Sequence, residues 1–221
     1  MSANTTAVVG ATGGAGTTRT TVEAATMLAR DGRAVAVLDA AFATQGLADH
    51  VEGDLRPDLT ALLTDEVDAP LDAGLIESDW TDTGRVALCP ARAPFERLAR
   101  AKTPAAARRF EDRIAEAAAR FDHVLVDTPP VASNQAIAAV TACERVAVVA
   151  PATTRGDDAA QRTIDRLADL GYEIDARLTH DGHPLDEAAF AALLEGETPS
   201  VADPDHQTFP PVVVAIRDGS D

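Results

Sequence analysis

The residues best placed to do chemistry form a glycine-rich turn, Gly10-Ala11-Thr12-Gly13-Gly14-Ala15-Gly16-Thr17-Thr18, between an apolar run and an amphipathic stretch. Glycines let successive backbone N–H groups curl around an anion, and a helix starting there adds its partial positive charge. The turn itself carries no cation. Thr12 and Thr17 offer hydroxyls, each donating one hydrogen bond and no charge. Arg19 is the nearest basic residue in the sequence, and Lys102 is the only lysine of the chain. A second candidate is Asp127, the acid that closes the apolar run His123-Val124-Leu125-Val126-Asp127. The plain alternatives are a glycine turn that holds nothing and an aspartate that caps a turn. No Ser/His/Asp or Cys/His grouping is readable, and the histidines, with His180, His183 and His206 in polar loops, lack metal-ligand spacing. Cys89 and Cys143 read as buried free thiols.

These side chains need a frame, and the hydropathy pattern alternates strands with helices. Residues 7–10 read as a first strand and 18–30 as a helix with Val22, Ala25, Met27 and Leu28 on its apolar face, ended by Asp31-Gly32. The continuous apolar run Ala34-Val35-Ala36-Val37-Leu38 suits a strand buried on both faces. Residues 42–84 are acidic and less regular, with a short helix at 59–63. Strands follow at 86–90, 123–127 and 145–150. Residues 94–121 are helical in pattern with a break at Thr103-Pro104, and 157–170 form another helix. Beyond Gly171 the pattern weakens to a helix candidate at 186–194, an extended connection at 199–211 and a last short strand at 212–216. The fold class expected is α/β: a mostly parallel twisted sheet with helices on both faces, in one domain over 1–221.

Composition narrows the partners. Of 221 residues, 36 are acidic and 19 basic, for a formal net charge of -17. Such a surface repels nucleic-acid phosphates and anionic lipid, so neither is expected as a partner. The hydrophobic share of 46% against 4% aromatic implies a core of Ala, Val and Leu. An acidic chain with a single lysine suits a protein bathed in concentrated salt, although an acidic protein of a GC-rich genome would look similar. No apolar run is long enough to span a bilayer, and residues 1–5 have no signal-peptide character. A cytoplasmic protein is expected.

The turn, in its strand–turn–helix context, resembles the deviant phosphate loop of the MinD/ParA family of P-loop NTPases, Gly-Lys-Gly-Gly-x-Gly-Lys-Thr. Gly13, Gly14 and Gly16 match the family glycines, and Thr18 matches the hydroxyl residue that holds magnesium. Ala11 stands for the first glycine. Thr12 stands for the lysine that reaches a dimer partner's nucleotide, and Thr17 for the lysine that grips the β- and γ-phosphates. Asp39-Ala40-Ala41 resembles the Asp-x-Asp that ends the family's second strand, with Ala41 in place of the acid tied to the attacking water. Phe121 to Pro130 resembles the Walker B strand and its sequel, so the resemblance implies that Asp127 reaches magnesium. Residues 142–151 resemble the helix end that leads into the next strand. The resemblance covers about 5–170. The adenine-reading asparagine of the family is missing from 174–179, and residues 212–221 do not resemble the basic amphipathic membrane helix that ends MinD proteins, so no such helix is expected.

The resemblance implies a phosphate site formed by Thr12, Gly13, Gly14, Ala15, Gly16, Thr17 and Thr18, with Thr18, Asp39 and Asp127 as magnesium ligands if nucleotide binds. With cations lost at 12 and 17 and the acid lost at 41, the expectation is a pseudo-ATPase acting as a regulatory, positioning or binding module. No catalytic residue is assigned. ATP or ADP with magnesium would bind weakly or not at all, and a homodimer or protein partner is expected. The alternatives are a divergent ATPase or nucleotide switch that uses Arg19 or a partner's arginine, and a ligand-free protein that keeps the fold for interaction.

Overall fold

The computed structural model describes residues 4–64 and 66–195. The elements are β1 (Asn4–Gly10), α1 (Thr17–Arg30), β2 (Ala34–Asp39), α2 (Leu59–Leu63), β3 (Ile76–Glu77), β4 (Arg85–Cys89), α3 (Phe95–Ala101) and α4 (Pro104–Ala118), then β5 (His123–Thr128), α5 (Asn134–Ala142), β6 (Arg145–Pro151), α6 (Thr154–Asp169), β7 (Ala176–His180) and α7 (Glu187–Glu195). They build a seven-stranded sheet of order β3-β4-β2-β5-β1-β6-β7. Every pair is parallel except the short edge strand β3, which runs antiparallel to β4. The α/β fold class read from the sequence is the one observed.

The central strands are apolar on both sides because helices cover both faces. Ala36, Leu38, Val124 and Val126 face Phe110 and Ile114 of α4 and Leu59, Leu62 and Leu63 of α2. On the same side, Ala7, Val9, Val146 and Val148 meet Val140 of α5 and Leu167 of α6. Val8, Val35, Val37 and Leu125 point the other way, onto Val22, Ala25 and Leu28 of α1 and Leu193 of α7. The break at Thr103-Pro104 divides α3 from α4. There Thr103 Oγ1 accepts the Ala106 N–H at 3.3 Å, and Pro104 takes the first helical position, where its missing N–H costs nothing.

The structure lengthens some elements and adds others. β1 begins at Asn4 rather than Ala7, because Thr5 and Thr6 are buried and the Thr5 hydroxyl accepts the Glu144 N–H at 2.8 Å. α6 begins at Thr154 rather than Asp157, capped by Thr153, whose hydroxyl accepts the Gly156 N–H. The stretch beyond Gly171 contains a full strand, β7, paired with β6. Cys89 is a buried free thiol, and Cys143 is free and half-buried. Trp80 packs, partly buried, against the core cluster on the α1 side of the sheet, with its ring nearly perpendicular to that of His50. Among the described residues no helix is long and apolar enough to cross a membrane. The strand expected at 212–216 and the connection at 199–211 lie outside the described residues.

Candidate functional site

In an open parallel sheet, ligand sites form at the carboxyl ends of the strands, and the polar residues singled out by the sequence converge there. β1 runs out through Gly10 into the turn, which closes with an Ala15 N–H to Thr12 C=O bond of 3.3 Å. Thr12, Gly13 and Gly14 are exposed at its tip and Ala15 is buried beneath them. Gly16 sits in the left-handed region at φ 82° and starts α1, a conformation that glycine adopts without strain. No side chain caps this helix start and no acid stands in its first turn. The N–H groups there lack partners within the helix, as at any helix start. The Thr17 hydroxyl folds back over Gly10, with Oγ1 2.5 Å from where a Cβ on Gly10 would stand. Gly10 therefore makes the room that Thr17 occupies.

Thr18, Asp39 and Asp127 meet below the turn. Register pairs Asp39 with Asp127 at the ends of β2 and β5, and Thr18 Oγ1 donates to Asp127 Oδ2 at 2.5 Å. Asp39 is fully buried and accepts the N–H groups of Ala41 at 2.8 Å and Ala91 at 3.1 Å. Burial, and then the neighbouring Asp127 charge, push Asp39 up to about 8 against those two bonds. Burial also raises Asp127 to about 6, opposed by the Thr18 bond. Asp127 is 1% exposed and its Oδ1 is buried without a partner. Two buried carboxylates side by side, one with an unmatched oxygen, form an environment short of positive charge. That fits a divalent cation of the hard, oxygen-seeking kind. Thr18 and Asp127, with Asp39 behind, would hold magnesium, which would supply charge neutralisation for phosphate oxygens at the turn.

The segment after β2 closes over this group. Gly46 lies against Thr18, and Gln45, at a left-handed φ of 55°, clamps the Ala93 backbone through both ends of its amide at 3.2 and 3.3 Å. Ala41, where the sequence lacks an acid, is buried and serves Asp39 through its N–H.

Arg19 does not turn toward the loop. Its guanidinium bonds Glu23 at 2.7 Å and the Gly182 carbonyl at 2.9 Å. Glu23, only 4% exposed, also accepts the Leu185 N–H at 2.7 Å, so the pair ties the segment after β7 to α1. His180 is the residue that sequence reasoning missed. It is the last residue of β7, not part of a polar loop, and its ring lies on Gly16. The available signal was the strand pattern itself, since a strand parallel to β6 delivers its final residue to the ligand edge. A cleft of about 100 Å³ beside it is lined by Thr20, Glu23, Thr179, His180, Asp181 and His183, among others.

A central strand that turns through glycines into a helix, beside a strand-end aspartate bonded to a hydroxyl in that helix's first turn, is the frame of a P-loop nucleoside triphosphatase. The chain belongs to the AAA-domain family, whose model matches residues 3–178. No curated protein matches it significantly. Among solved structures it is similar to the septum site-determining protein MinD of Pyrococcus horikoshii complexed with Mg-ADP, at a TM-score of 0.67 and 19% identity over 89% of this chain and 86% of that one. It is also similar to a ParA family ATPase of Chlorobium tepidum, at 0.63 and 18% identity over 87% and 90%. A third is cobyrinic acid a,c-diamide synthase of Mycobacterium smegmatis with bound ADP and magnesium, at 0.61 and 24% identity over 80% and 72%. At these identities the likeness is one of fold.

Proposed function

We propose that this protein is a nucleotide-responsive binding module that holds ATP or ADP with magnesium weakly and does not turn ATP over. The observation that carries the reading is the split state of the site. The residues that would hold a cation are in place, with Thr18 on Asp127 and a buried, unpartnered Asp127 Oδ1. The positive charge that would steady a transferring phosphoryl group is missing at Thr12 and Thr17, and the acid is missing at Ala41. Arg19 is engaged with Glu23 and Gly182, which weighs against its service as a substitute. The solved relatives with bound Mg-ADP or ADP and magnesium support the choice of ligand. The protein would work by pairing with a second copy or a protein partner and reporting the occupancy of its loop. Its net charge of -17 with one lysine fits work in concentrated salt, in a cytoplasmic setting. The test is multiple-turnover ATP hydrolysis by the purified chain at high salt. No turnover above buffer is expected; steady turnover that Asp127→Asn abolishes would overturn the reading.

A further inference from the structure

We propose that His180 is the side chain that contacts an anion held in the loop, replacing by an imidazole the contact that Thr12 and Thr17 cannot make. The inference rests on the reading of the loop as a phosphate site. Its ground is a close approach between residues far apart in the chain. The His180 ring lies so close to Gly16 that Nε2 is 2.8 Å from where a Cβ would stand, closer than real Cβ atoms come. Gly16 is the residue from which the uncapped start of α1 departs. The ring's place is set by the sheet and not by a wandering loop. β7 pairs with β6 in register through Pro151 and His180, and the His180 carbonyl accepts the Ala152 N–H at 2.9 Å. β6 in turn flanks β1, which leads into the loop.

A helix start alone would not define a site. The second observation is Asp127, nine-tenths buried or more, whose unpartnered Oδ1 lies beside Thr18 in the first turn of the same helix and calls for a cation there. Such a cation would itself attract an anion to the loop. His180 also lines the cleft that holds Glu23, Asp181 and His183. An imidazole donates a hydrogen bond in its neutral form and adds a charge when protonated, so it can serve where a threonine hydroxyl falls short.

The test uses the full chain and two probes, pyrophosphate and Mg-ADP, titrated calorimetrically into the wild type, His180→Ala, His180→Lys and His183→Ala. Thermal unfolding of each variant checks that it folds. His183 lines the same cleft and serves as the control. Expected are a loss of about fivefold or more for His180→Ala, equal or tighter binding for His180→Lys, and no change for His183→Ala. Unchanged or tighter binding by a folded His180→Ala would overturn the proposal and make the ring a spacer or a plug. If His180→Ala does not fold, weaker binding by His180→Lys would overturn it equally. Failure of the wild type to bind either probe would instead remove the reading of the loop as a phosphate site, and this inference with it.

Discussion

Replacing Asp127 by asparagine should stabilise the metal-free protein above about pH 7 and change little near about pH 4. Burial sets the effect. Asp127 is 1% exposed, bonded on one oxygen to Thr18 and on the other to nothing, with Asp39 opposite it in register. Both carboxyls are raised above the ordinary 3.8, Asp127 to about 6 and Asp39 to about 8. A raised carboxyl means that the folded chain holds protons that the unfolded chain has released. The pair's contribution to stability is therefore greatest below the unfolded value near 3.8, falls as pH rises through the window up to the folded values, and levels off above about 8. For Asp127, a rise from 3.8 to about 6 corresponds to roughly 3 kcal/mol at about 1.36 kcal/mol per unit. Asparagine keeps the acceptor for Thr18 and carries no charge, so it recovers that amount and relieves Asp39 as well. In a chain of this size the gain corresponds to about 6–12 °C in Tm. The assay is thermal unfolding of wild type and Asp127→Asn in EDTA at about pH 8 and about pH 4, then with magnesium and ADP. The variant should melt higher only at the alkaline pH, and by a smaller margin once magnesium and ADP are added. A variant less stable than wild type in EDTA at pH about 8, or equally stabilised at both pH values, would refute the buried-charge account.

Thr17→Lys should tighten Mg-ADP binding by about tenfold or more, the scale of a charge-assisted bond, once its stem leaves the space over Gly10; calorimetry reads the change. Glu23→Ala should cost about 2 kcal/mol in urea unfolding, because it strands the Leu185 N–H and releases Arg19, whereas Glu23→Gln should cost less than half of that. The same alanine variant should speed proteolytic cleavage in the 181–186 segment. If the acidic surface is adapted to salt, the wild type should melt at least about 5 °C higher in multimolar KCl than at low salt, as screening relieves the repulsion of a chain at -17.

The central strands were legible because burial on both faces leaves a continuous apolar run, as in Val35–Leu38 and Val124–Val126. α5 had no periodic signature. In Asn134–Ala142 even Gln135 is buried beside Ala136, Ala138, Ala139 and Val140, so no polar stripe marks it as a helix. β7 at the edge of the sheet alternates Arg, Leu, Thr and His over only five residues, and β3 has only two. Of the site, the loop and both aspartates could be placed from the sequence, since they follow directly from strand ends. What escaped were contacts that only the sheet order creates. His180 meets Gly16 because β7 lies two strands from β1, and Glu23 is buried because the segment after β7 covers α1. Apart from the faint strand pattern of β7, neither contact leaves a local trace in the chain.

The central claim, a cation pocket kept without the lysines of catalysis, is tested most directly by titrating Mg-ADP into the wild type and Asp127→Asn at high salt. The account predicts weak binding to the wild type that requires magnesium and is lost in Asp127→Asn. Binding that is indifferent to both magnesium and Asp127, or tight binding that persists in the variant, would contradict it.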